Sequence, residues 1–135
     1  MSEAALAGRR VLLVEDETLI AMLVETALED EACTVVGPYG NLREALEAAR
    51  TEVFDLAVLD INLAGELVFP VAEVLAGRGV PFLLLSGYGE AGLPRDRQHW
   101  PICAKPFSLR DLVSALSGLL AGSKPLPQSG RGRDA

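Results

Sequence analysis

The stretch VLLVEDE at residues 11–17 sets four consecutive apolar side chains directly against three acidic ones. A short apolar run without alternation reads as a strand buried on both faces, as in a parallel sheet. Four further runs repeat the design. Thr34–Val36 is ended by Gly37-Pro38, Leu56–Leu59 runs into Asp60, Phe82–Leu85 into Ser86, and Ile102–Ala104 into Lys105. Helical patterns lie between them. Thr18–Asp30 carries Leu19, Met22, Leu23 and Leu28 at helical spacing. Asn41-Leu42-Arg43-Glu44 reads as a capping box, opening a helix with Leu42, Ala45, Leu46 and Ala49 on one face. Pro70 suits the first turn of a third helix, which Gly77 and Gly79 bring to a stop. Ser108 to Asp111 caps a last helix bearing Leu109, Leu112, Val113, Leu116 and Leu120. Strands alternating with helices imply right-handed crossovers, hence an α/β fold with a parallel sheet covered on both faces.

One connection breaks the alternation. Residues 87–101, GYGEAGLPRDRQHWP, hold three glycines and two prolines where a helix is due. Helix there would lose about 1 kcal/mol per interior Gly and ~3 for Pro, so one short turn is expected, a degenerate fourth helix. This segment is expected to be the most mobile internal part, with Arg95–His99 facing a partner. After Gly122 the residues carry Pro, Gly and charge without periodicity, which reads as a disordered tail. The expected division is an N-terminal extension at 1–8, one domain at 9–122 and the tail at 123–135.

Composition narrows the function. Half of the 135 residues are hydrophobic but only 5% are aromatic, so Leu, Val, Ile and Ala build the core. Twelve Lys and Arg against nineteen Asp and Glu give a net charge of −7, without the basic footprint of a nucleic-acid binder. No apolar run reaches the ~20 residues of a membrane-spanning helix, and the N-terminus lacks signal-peptide character. A cytoplasmic monomer is expected. Cys33 and Cys103 have no metal-ligand spacing and read as free thiols on opposite edges of the sheet.

The chemistry lies where the strands end. In an open parallel sheet the ligand site sits outside the carboxyl ends of the strands. Glu15, Asp16, Asp60, Ser86 and Lys105 all occupy such ends. Three carboxylates brought together repel one another unless a cation lies among them. Hard oxygen ligands without His or Cys point to Mg²⁺ or Mn²⁺. With Lys105 the set forms a socket for a phosphoryl group, Asp60 being the nucleophile and Ser86 a hydrogen-bond donor. Nucleotide binding is excluded at the first turn, because Glu15-Asp16-Glu17 replaces the Gly-rich loop that would cradle phosphate.

VLLVEDE at 11–17, AVLDINLAGE at 57–66, PFLLLSGYG at 81–89 and CAKPF at 103–107 together resemble the receiver domain of response regulators, across roughly residues 9–121. The resemblance implies a flavodoxin-like fold with strand order 2-1-3-4-5. It implies that Asp16 and Asp60 ligate Mg²⁺ directly, Glu15 acts through water, and the backbone carbonyl of Asn62 completes the protein ligands. It implies phosphorylation of Asp60 by a sensor histidine kinase or histidine phosphotransfer protein, and a downstream protein target. More narrowly, DINLAGE with PFLLLSGYG resembles an alphaproteobacterial single-domain group whose fourth strand reads PFxFATGY and whose kinases are of the HWE type. Leu84-Leu85-Ser86 departs from that pattern while keeping the hydroxyl. With no further domain expected, the chain reads as a stand-alone phosphoacceptor rather than an enzyme acting on other substrates.

A second departure concerns the switch. Most receivers carry Tyr or Phe three residues before the lysine; here the position is Ile102. An aliphatic side chain offers no hydroxyl and less surface to bury or expose. Tyr88, two residues after Ser86, is the candidate substitute. Two other readings compete with the phosphoacceptor. One is a pseudo-receiver that binds partners without phosphorylation. The other is a phosphatase with an aspartyl nucleophile, but its DxDx motif would follow the first strand, and Asn62 stands in the acid position.

Overall fold

A computed structural model describes residues 6–87 and 92–122 of the chain. In order these form β1 (Arg10–Val14), α1 (Thr18–Asp30), β2 (Thr34–Tyr39), α2 (Leu42–Thr51) and β3 (Leu56–Asp60). A small hairpin comes next, β4 (Asn62–Leu63) and β5 (Glu66–Leu67), then α3 (Phe69–Arg78) and β6 (Phe82–Ser86). A 3-10 turn at Arg95–Arg97, β7 (Ile102–Ala104) and α4 (Leu109–Gly122) complete it. The main sheet runs β2-β1-β3-β6-β7 with every pair parallel. That is the flavodoxin-like order expected from the sequence.

Alternation along each strand divides the core in two. Leu12, Val14, Ala57, Leu59, Phe82 and Leu84 face α2 and α3. Val11, Leu13, Leu56, Val58, Leu83 and Leu85 face α1 and α4. Leu6, assigned from sequence to an N-terminal extension, is fully buried in the second cluster. The caps form as the sequence indicates. Asn41 Oδ1 accepts from the Glu44 N–H at 2.9 Å, and Ser108 Oγ accepts from the Asp111 N–H at 3.0 Å. Gly79, in the left-handed region, ends α3, whereas Gly77 lies inside the helix.

Three local expectations need correction. The buried face of α1 is Ala21, Val24, Ala27 and Leu28, while Leu19, Met22 and Leu23 are exposed. The apolar stripe is wider than the groove above the sheet, and smaller side chains let the helix sit closer. Second, β2 does not stop at Gly37-Pro38 but continues to Tyr39 through a bulge. Gly37 has φ +114, and an added Cβ would lie 2.6 Å from the Leu13 carbonyl oxygen. Only glycine lets the two strands approach so closely there. Third, the β4–β5 hairpin was not foreseen. Ala64 and Gly65 both have positive φ, which a two-residue hairpin turn requires, and Gly65 was its sequence signal.

Among the described residues between β6 and β7, the 3-10 turn is the sole helical element. Trp100 fills the space instead, 6% exposed and edge-on to Phe82 at 5.3 Å. Ile102, paired in register with Leu84 on that face, is left 44% exposed. Cys33 and Cys103 are free and sit at opposite edges of the sheet, as expected. No described helix is long and apolar enough to cross a membrane.

Candidate functional site

The acidic turn is held in place by backbone bonds. After β1, the Glu15 N–H donates to the Tyr39 carbonyl at 2.9 Å, so the β2 bulge fixes where β1 ends. Gly40 lies close beneath, and a Cβ there would stand 3.6 Å from the Asp16 Cα. Asp60 closes β3 beside Leu85 and is 3% exposed. The Ile61 N–H continues the ladder to the Leu85 carbonyl at 3.0 Å. Lys105 comes directly after β7, and its N–H reaches the Ser86 carbonyl at 2.8 Å. The ends of β6 and β7 are therefore tied together.

These placements bring Glu15, Asp16 and Asp60 together, with one oxygen of each within 4.8 Å of the others. Lys105 Nζ donates to Asp60 Oδ1 at 3.3 Å and pairs with Glu15 Oε1 at 3.8 Å. Glu15 Oε2 accepts the Glu17 N–H at 3.1 Å, but buried Oε1 has no hydrogen-bond partner. Burial is the main reason that the Glu15 carboxyl is pushed up to about 8, with its hydrogen bond to Asp60 and the repulsion between them adding to it. Lys105 and the Glu17 N–H pull the other way. Without a cation the site thus keeps a proton that a divalent ion would displace. A buried oxygen with no close hydrogen bond and only the Lys105 ammonium at 3.8 Å, set among three carboxylates, fits a hard divalent cation such as Mg²⁺. Asp16 is exposed, leaving one side of the cluster open to solvent.

The remaining residues singled out from sequence are more scattered. Ser86 is half-buried at the end of β6, paired with Ala104. Asn62 stands two residues after Asp60, and its side-chain oxygen accepts the Gly65 N–H at 2.8 Å, stapling the hairpin. Tyr88 lies outside the described residues. Ile102 is in β7, away from the buried core.

Sequence reasoning missed two features. The exposed Leu19, Met22 and Leu23 form an apolar patch on the first turns of α1, next to the acidic loop. Its signal was a stripe too broad for one buried face. The second is Arg97, expected to face a partner as part of a charged stretch. Its guanidinium reaches across to α3, meeting Glu73 Oε2 at 2.9 Å and Oε1 at 3.1 Å in a partly exposed pair.

Comparison with known proteins agrees with this geometry. The family model of the response regulator receiver domain matches residues 11–117. The transcriptional regulatory protein PdtaR of Mycobacterium tuberculosis is 32% identical over 112 residues, 80% of this chain and 55% of that protein. The chain spans about half the length of the curated relatives it matches. Among solved structures, SdrG from Sphingomonas melonis is 38% identical with TM-score 0.74, over 84% of this chain and 97% of that one. PhyR from Brucella abortus is 26% identical with TM-score 0.73, over 90% of this chain and 52% of that one. Receiver domains are signalling modules of two-component systems that bind Mg²⁺ at an acidic pocket and work with histidine kinases and downstream proteins. With the fold, the acidic cluster and the family model in agreement, this chain belongs to the response regulator receiver domain family.

Proposed function

We propose that this protein is a stand-alone phosphoacceptor that takes a phosphoryl group from a phosphohistidine onto Asp60 and passes the signal to a protein partner. The observation that carries the reading is Asp60 itself. It is nearly buried at a strand end, with Lys105 Nζ at 3.3 Å and two more carboxylates in reach. An Asp60 oxygen attacks phosphorus, the P–N bond to the donor histidine breaks, and the freed imidazole takes a proton from solvent. Asp16, Asp60 and the Asn62 carbonyl would hold Mg²⁺ or Mn²⁺, with Glu15 acting through water. The bound ion would offset the charge of the transferring phosphoryl oxygens. Lys105 donates to one of those oxygens and Ser86 to another, and both then hold the acyl phosphate.

The likeness to SdrG over nearly the whole of that chain supports a module acting on its own. A net charge of −7 opposes nucleic-acid binding and so favours protein partners; we propose a cytoplasmic, monomeric module. The PFLLLSGYG stretch supports a donor of the HWE kinase type or a histidine phosphotransfer protein. The donor docks on the exposed Leu19, Met22 and Leu23 patch, which places a helical donor beside the pocket. Met22→Asp is expected to slow transfer from a phosphohistidine protein about tenfold or more by desolvating a charge. Labelling by acetyl phosphate would stay unchanged.

The direct test is intact-protein mass after acetyl phosphate with Mg²⁺. The protein should gain one phosphoryl group, mapped to Asp60, and Asp60→Asn should gain none. A pseudo-receiver would remain unmodified. Hydrolysis of generic phosphate esters at many turnovers would instead indicate a phosphatase.

A further inference from the structure

We infer that Trp100, seated by an Arg97–Glu73 latch, carries the state of the Asp60 site to the outer face of α3. The inference rests on the phosphoacceptor reading and adds a route by which it is read out. Trp100 is the chain's single tryptophan. Its ring lies 5.3 Å from Phe82 and 6.3 Å from Phe69, so it bridges β6 and the first turn of α3. The Arg97 guanidinium covers the indole at 5.6 Å while its fork grips both Glu73 oxygens. The turn preceding it is tied to itself. Gln98 Nε2 donates to the Leu93 and Pro94 carbonyls at 2.9 and 3.0 Å, and the Trp100 N–H donates to the Arg97 carbonyl at 3.1 Å. Residues 93–100 therefore form one unit, and among the described residues it meets the α3 side of the core through the Arg97–Glu73 pair, the Trp100 seat and Leu93.

The other end of this unit reaches the reaction centre. The Pro101 carbonyl accepts the Leu84 N–H at 3.0 Å, and the three residues of β7 then lead directly to Lys105 on Asp60. β7 is an edge strand, paired on one side only, and among the described residues little packs against exposed Ile102 on its α3 face. With three residues it is also the shortest strand of the main sheet. A phosphoryl group on Asp60 places its anionic oxygens farther from β3 than Asp60 Oδ1. Lys105 and Ser86 must move with those oxygens, and their backbones shift together because the Lys105 N–H is bonded to the Ser86 carbonyl. The displacement passes along β7 to Trp100. A close-packed aromatic seat is kept or vacated rather than stretched. The partly exposed Arg97–Glu73 pair is weak enough to give way. Opening it uncovers Glu73, Phe69 and the indole on one face, which is the changed surface for a partner.

Coupling between two sites is reciprocal. If phosphorylation opens the latch, weakening the latch must favour the phosphorylated form. The test uses the full chain with Mg²⁺ and beryllofluoride, a stable mimic of the acyl phosphate. Bound beryllofluoride is detected by fluorine NMR, and Trp100 by emission maximum and acrylamide quenching. In the wild type, binding should shift Trp100 emission to the red and raise quenching, with no response in Asp60→Asn. Glu73→Gln, and separately Arg97→Lys, which keeps the charge but loses the fork, should be more quenchable before binding. Each should bind beryllofluoride about fivefold or more tightly than the wild type. A bound fluorine signal with unchanged Trp100 emission overturns the inference, as does unchanged affinity in both latch variants. Absence of any bound signal in the wild type overturns the phosphoacceptor reading and the latch with it.

Discussion

Mg²⁺ affinity is expected to rise about tenfold for each pH unit up to pH 8, then to level off. The cause is Glu15, whose carboxyl is pushed up to about 8 by burial and by Asp60. Near pH 6 the carboxyl is held mostly protonated, and the cation must expel the proton. Titrations from pH 6 to 9, with proton release monitored in weak buffer, measure this. A flat profile would mean that Glu15 is not part of the charge the ion neutralises. The same shift sets stability in the metal-free protein. The folded state holds this proton more tightly than the unfolded chain, whose Glu ionises near 4.5. The resulting stabilisation is complete below pH 4.5 and is lost as pH rises through 8. Thermal unfolding should therefore shift to lower temperature from pH 5 to 8, and saturating Mg²⁺ should remove most of that slope. Asp16→Asn is expected to weaken Mg²⁺ by well over tenfold, about 1.4 kcal/mol or more, at every pH.

Gly37→Ala is expected to destabilise the fold by about 2–4 kcal/mol and to weaken the acidic site with it. Two effects add. The backbone at φ +114 is strained for any residue with a Cβ, and that Cβ would lie 2.6 Å from the Leu13 carbonyl oxygen. The obstacle is backbone of the interior strand β1 and cannot swing aside. Relief requires β2 to move outward, which pulls the Tyr39 carbonyl from the Glu15 N–H and loosens the acidic turn. Gly65→Ala is the control. Gly65 has φ +92 but open space around its Cα, so the cost should be only the conformational one, about 1–2 kcal/mol. Urea unfolding of both variants, with Mg²⁺ titration of Gly37→Ala, separates the two effects. Equal losses at the two positions would mean that the close approach at Gly37 carries no weight.

How much of this was legible beforehand depends on where the signal resides. The unbroken apolar runs ending on Glu15-Asp16, Asp60, Ser86 and Lys105 announced both the parallel sheet and its reactive edge, because strand burial and strand ends are written in consecutive residues. The Asn41 and Ser108 caps were legible for the same reason, since each acts on a backbone N–H three residues on. The poor helix between β6 and β7 came from local Gly and Pro. Other features depended on partners distant in sequence. Which stripe of α1 is buried was settled by the space over β1 and β2 and against α4, which takes Ala21, Val24, Ala27 and Leu28 and leaves Leu19 and Met22 to solvent. The continuation of β2 past Gly37-Pro38 was settled by the close passage of β1. Arg97 looked like surface charge until α3 brought Glu73 to it from twenty-four positions away. Sequence alone determined that Glu15 and Asp60 are acidic and sit at strand ends. Only the tertiary structure decided that Glu15 holds its proton near neutrality, because desolvation and repulsion depend on the distance to groups that the folded sheet brings together.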